Sequence, residues 1–118
     1  MASMEPRHDT NRRLELVQSA WKRISTHLET ARHRLYEEIR NYPRPIPACD
    51  QHFNYLLEER ARITRELDRM HEAVRESLSR SDPVGPIEEF INSSSYLDDD
   101  ARQTVRSSLK EGLSGPGA

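Results

Sequence analysis

Cys49 and His52 are the pair in this chain whose types and spacing come nearest to reactive chemistry. The cysteine falls at the expected start of a helix, where the dipole favours a thiolate, and the histidine three residues on lies on a neighbouring face. Such a pair fits a redox-sensitive thiol or a nucleophile. However, the chain has no Cys-x-x-Cys motif, no resolving cysteine and no Gly-rich oxyanion loop, so no catalytic residue is assigned. The plain reading of Cys49 is a small apolar residue closing a bend.

Five histidines raise the question of metal, and only Glu29, His33 and Glu37 follow one another at four-residue steps. One imidazole with two carboxylates is common on a solvated helix face, and His-x-x-x-His is absent, so neither metal nor cofactor is expected. Asp98-Asp99-Asp100 lacks the twelve-residue calcium loop, and helix capping accounts for it. Sixteen of the eighteen basic residues are arginine, a type suited to phosphate or carboxylate. On the first helix they include Arg12, Arg23 and Arg34, interleaved with Glu15, Glu29 and Glu37, which dilutes the field and argues against nucleic acid.

These residues must be positioned by two long amphipathic helices. Leu14, Val17, Trp21, Ile24, Leu28, Ala31, Leu35 and Tyr42 alternate at three and four residues. After Tyr42-Pro43-Arg44-Pro45-Ile46-Pro47, the spacing returns at Phe53, Leu56, Ile63, Leu67, Met70 and Val74. The prolines at 42–47 forbid helix, because each removes a donor and disfavours the α conformation in the residue before it. The pattern therefore predicts an antiparallel helical hairpin over residues 9–80, with Asp9, Thr10 or Asn11 capping its first helix. The second helix is expected to open at Pro47 and to carry Glu58–Arg62, Arg62–Glu66 and Glu76–Arg80 pairs on its surface.

Heights in such a hairpin match where residue numbers sum to about 89, which sets Trp21 against Leu67 and Met70, and the Arg60 stem over Ala31. Residues 1–8 are expected to be disordered and 81–86 to form a linker. Two short helices then occupy 87–113, the first opened by Pro86 and the second capped by Asp98, before a flexible tail at 114–118. The fold class expected is all-α: a long, coiled-coil-like antiparallel hairpin with two short C-terminal helices.

With 34% hydrophobic and 32% charged residues, the chain suits an elongated body that buries one stripe per helix. Net charge runs from +3 over residues 1–45 through −1 over 46–80 to −4 over 81–118. No apolar run is long enough to cross a membrane and no hydrophobic signal region opens the chain, so the cytoplasm is the expected compartment.

The bend end is more apolar than the seam requires. Tyr36, Ile39, Tyr42, Ile46, Phe53, Tyr55 and Leu57 gather there, and several lie off the seam. The C-terminal helices should pack near their own origin, at the opposite end. We therefore expect a non-enzymatic adaptor or regulatory module whose apolar hinge end contacts another protein or a second copy of itself. The alternatives are a nucleic-acid-binding regulator using the Arg-rich first helix and a thiol-based sensor using Cys49.

Overall fold

The computed structural model describes residues 4–114, with side chains described from Arg12 to Lys110. Among these residues it is all-α, with α1 at Met4–Arg40, α2 at Gln51–Ser79, α3 at Val84–Ser93 and α4 at Asp99–Ser114. The expectations for residues 1–3 and 115–118 lie outside the described residues. α1 is longer than its expected start at Asp9–Asn11 implied, since its backbone is already helical at Met4.

The long helices form the expected antiparallel hairpin. Its register is marked on one side of the pair by His52 Nε2, 3.8 Å from Glu38 Oε1, a pair of numbers summing to 90. The inward residues Val17, Ile24, Leu28 and Ile63 are fully buried, as a three-and-four spacing requires. α3 runs back antiparallel to α2, and α4 antiparallel to α3. The order around the bundle is α1, α2, α3, α4: α4 closes against α1, and among the described residues the backbones of α2 and α4 do not come together. This is an up-down-up-down four-helix bundle in which two helices are short. Its core joins Val17, Trp21, Ile24 and Leu28 of α1 to Ile63, Leu67 and Met70 of α2. Ile87, Phe90 and Ile91 of α3 and Ala101, Val105 and Leu109 of α4 complete it. Across the centre, the Trp21 ring stands edge-on to Phe90 with centroids 5.8 Å apart.

Polar side chains fix where the short helices sit. Ser77, fully buried, donates to the Pro83 carbonyl at 2.7 Å and so holds the α2–α3 turn. Ser94 donates to Glu66 Oε2 at 2.6 Å, and Arg69 holds the same carboxylate through Nε at 2.8 Å and Nη2 at 3.0 Å. The Arg69 guanidinium also lies over the Phe90 ring at 4.3 Å and donates to Ser93 Oγ at 2.9 Å. From α4, Arg102 donates to the carbonyls of Ile91 at 2.8 Å and Ser94 at 3.0 Å. These are carbonyls that the end of α3 leaves without helical partners. Burial alone would raise the Glu66 pKa, but hydrogen bonds from Arg69 and Ser94 and the Arg69 charge outweigh it and hold it below the usual carboxylate range. None of this clamp was anticipated from Asn92-Ser93-Ser94-Ser95, which reads only as a helix end.

α3 opens at Val84, not at Pro86 or Ile87, with Pro83 as its N-cap residue. Pro86 is tolerated there because the first-turn N–H groups have no helical acceptor. α4 behaves as expected: Asp98 Oδ1 accepts from the Ala101 N–H at 2.7 Å. Of the surface pairs expected on α2, Glu76–Arg80 forms at 2.9 Å, whereas Arg62 turns back to Glu59 and Glu66 is taken by Arg69.

The short helices stop well below the hinge. Their connecting loop reaches the level of Glu59, where Tyr96 Oη donates to Glu59 Oε2 at 3.4 Å. From Glu59 to the start of α2 the hairpin continues alone for about 12 Å. The molecule measures 70 × 25 × 21 Å.

Candidate functional site

The hinge is built around one carboxylate. Asp50 is the N-cap of α2, its side chain accepting from the Phe53 N–H at 2.9 Å. Both of its oxygens also lie 2.9 Å from the Tyr42 hydroxyl, which donates to the carboxylate from the end of α1. The Tyr42 ring meets Phe53 edge-on at 5.0 Å. One aspartate thus starts the second helix and ties it to the chain two residues past the end of the first. The Phe53 N–H, then the Tyr42 hydroxyl, hold the Asp50 pKa down; the same hydrogen bond, with some desolvation, pushes the Tyr42 phenol up.

This cap corrects the expected start of α2. The helix begins at Gln51 and not Pro47, because the bend needs Ala48 and Cys49 as a further turn before Asp50 can close it. Cys49 consequently precedes the cap residue and is exposed. It still lies near the N-terminus of α2, one residue outside the cap. His52 is turned elsewhere, toward Glu38 and stacked on Tyr55 with centroids 6.3 Å apart.

The seven apolar hinge residues fall into three groups. Tyr42 and Phe53 pack on each other and are half-buried. Ile39, Ile46 and Leu57 are also half-buried. Tyr36 and Tyr55 are exposed, at 46% and 53%. Tyr36 lines a shallow groove with Ile39, His33, Glu37, Arg40 and Arg60, and Arg32 lies over its ring at 5.8 Å. Arg60 reaches this groove, and it has no carboxylate partner among the described residues. Tyr55 projects on the other side of the hairpin, beside His52. The tip therefore offers one aromatic ring on each side.

The other candidate chemistries disperse. Glu29 pairs with Arg32 at 3.0 Å, and Glu37 with Arg40 at 3.0 Å. No three metal-binding side chains converge among the described residues. On α1 and the bend, Arg12, Arg13, Lys22, Arg23, Arg34 and Arg44 have no ion pair among the described residues. No helix among them is long and apolar enough to cross a membrane.

Compared with known proteins, the chain matches no family model, no curated protein and no solved structure.

Proposed function

We propose that the chain is a non-enzymatic protein-interaction module that offers the hinge end of its helical hairpin to another protein. The observation that supports this reading is the position of Tyr36 and Tyr55: exposed, on opposite sides of a tip that rises past the short helices. Aromatic side chains bury large area at low entropic cost, and the Asp50–Tyr42 tie holds the tip in shape before a partner arrives. Adaptor and regulatory roles both need only such a rigid, apolar tip.

The test is affinity capture from the native host with immobilised chain, comparing wild type with Tyr36→Ser plus Tyr55→Ser and with Glu72→Ser at the far end. A protein captured by wild type and Glu72→Ser but not by the double variant supports the reading. Capture indifferent to the tyrosines overturns it. The second reading, a nucleic-acid binder, draws on the six cations of α1 and the bend that have no ion pair among the described residues. It predicts retention on DNA at low salt that falls steeply as salt rises.

A further inference from the structure

One long side of the hairpin is left bare by α3 and α4, and three of the four exposed large apolar residues belong to it. Leu14 and Leu78, 38% and 48% exposed, lie at its open end, and Tyr36 lies at its hinge end. At 100° per residue these positions sit on the same flank as Arg60, opposite the flank where Glu59, Glu66 and Ser77 meet the C-terminal segments. From Leu14 to Ile39 the face runs about 38 Å, and two helices side by side make it about 20 Å wide. Its area, on the order of 750 Å², is close to the roughly 800 Å² per partner of a standard stable interface.

The charges along its edges choose the occupant. On α1, Glu15, Lys22 and Glu29 follow at seven-residue spacing and lead to Tyr36. On α2, given the register fixed by Glu38 and His52, Arg75 and Asp68 lie at the heights of Glu15 and Lys22, and Arg60 lies one residue from the height of Glu29. The signs oppose at all three heights. Within one chain these residues form no cross-helix ion pairs among the described residues; Glu29 and Arg75 each have only an intrahelical partner, Arg32 and Glu72.

We propose that a second copy of this chain covers this face, related by a twofold axis running along the groove. That rotation lays α1 of one copy on α2 of the other without changing heights. It sets Glu15 against Arg75, Lys22 against Asp68 and Glu29 against Arg60, each twice. Leu14 then meets Leu78, and Tyr36 meets Leu57, with both hinges at one end. The alternative twofold axis, across the helices, matches Lys22 with Glu29 and Asp68 with Arg60 but leaves Glu15 and Arg75 without an opposite charge. The proposal extends the hinge reading, because Tyr36 and Leu57 form one end of this face, and it leaves Tyr55 free for a different protein.

The test uses two full-length variants, Glu15→Arg/Lys22→Asp/Glu29→Arg and Arg60→Glu/Asp68→Lys/Arg75→Glu, by light scattering and sedimentation, with helicity checked by circular dichroism. Wild type is expected to be a dimer. Each variant alone should show a dissociation constant raised at least tenfold, and an equal mixture should form a heterodimer, because both edges then match again. A wild type that stays monomeric at high concentration overturns the proposal, and so does a dimer indifferent to both variants. Should either triple variant fail to fold, Cys49→Ser chains carrying Lys22→Cys and Asp68→Cys are mixed and oxidised with diamide. The mixture must crosslink faster than either chain alone, and equal rates overturn the proposal. A monomeric wild type with tyrosine-dependent capture would end this inference and leave the hinge reading standing; a dimer without such capture would do the reverse.

Discussion

The two ends of this molecule are built from the same pair of helices and held by different forces. Below Glu59, four helices enclose a core in which Trp21, Phe90, Ile63 and Val105 are buried. Above it, two helices have only each other and a polar tie at Asp50. Burial across four helices holds the lower half, while the tip has a smaller apolar contact at Leu56, Tyr42 and Phe53 besides its polar tie, so damage at its exposed residues should cost binding and damage below should cost stability. The largest expected effect breaks the lower half: Phe90→Ala should lower unfolding free energy by about 3–5 kcal/mol, whereas Tyr55→Ala should change it by no more than about 0.5 kcal/mol. Urea denaturation measures both. Similar losses at the two positions would show that the tip is core after all.

A smaller effect should come from the clamp that seats the short helices. Ser94→Ala removes a buried hydroxyl from the Glu66 carboxylate, a charge-assisted bond worth about 1.5–3 kcal/mol. Amide exchange should accelerate in α3 and α4 while the amides of the hinge keep their rates. If hinge amides accelerate equally, the two regions unfold as one and the comparison fails.

The unequal legibility of the two regions has a physical cause. The hairpin was readable because a seam of Val17, Trp21, Ile24, Leu28, Ile63, Leu67 and Met70 repeats with the period of a helix. The four-helix closure was harder. The sequence placed α3 and α4 near the open end, but their seating depends on long-range polar contacts such as Ser94 with Glu66 and Arg102 with the Ile91 carbonyl. No spacing rule encodes a bond between residues 28 apart. At the hinge, composition revealed the apolar cluster and the prolines revealed the bend. What it missed was that Tyr42 belongs to Asp50 and Phe53, and that of the seven residues only Tyr36 and Tyr55 are exposed. A tyrosine closing one helix and an aspartate eight residues later, just before the next, were the available signal.

A third effect is visible only in alkali. Burial, then the Glu59 charge, push the Tyr96 phenol up to about 12. Because the folded value exceeds the unfolded one of about 10, folding favours the neutral phenol. The resulting stability is fully present below the unfolded value and disappears as pH rises through about 12. Tyr96→Phe should flatten the alkaline limb of the stability curve, and ultraviolet titration should lose a late-ionising tyrosine. An unchanged limb would mean that the loop above Ser94 does not seal the top of the bundle.

The smallest effect belongs to the tip and is the sharpest test of its separateness. The Asp50 pKa is lowered, first by the Phe53 N–H and then by the Tyr42 hydroxyl, so its contribution is present above the unfolded carboxylate value of about 3.9 and is lost as pH falls through the folded value. Glu66 titrates in the same direction but sits within the clamp, so its protonation should weaken the docking of α3 and α4. The solvent-facing position of Asp50 restricts its influence to neighbours. Phe53 amide and Tyr42 ring signals should therefore move together in acid while core signals near Ile63 stay fixed. Asp50→Asn should abolish that local titration and still leave α2 helical, because an asparagine amide oxygen can accept the same N–H. If the Phe53 amide ignores acid in wild type, the carboxylate does not hold the hinge. If core signals shift with it, the tip is no independent region, and its tyrosines lose the rigid support that a docking surface requires.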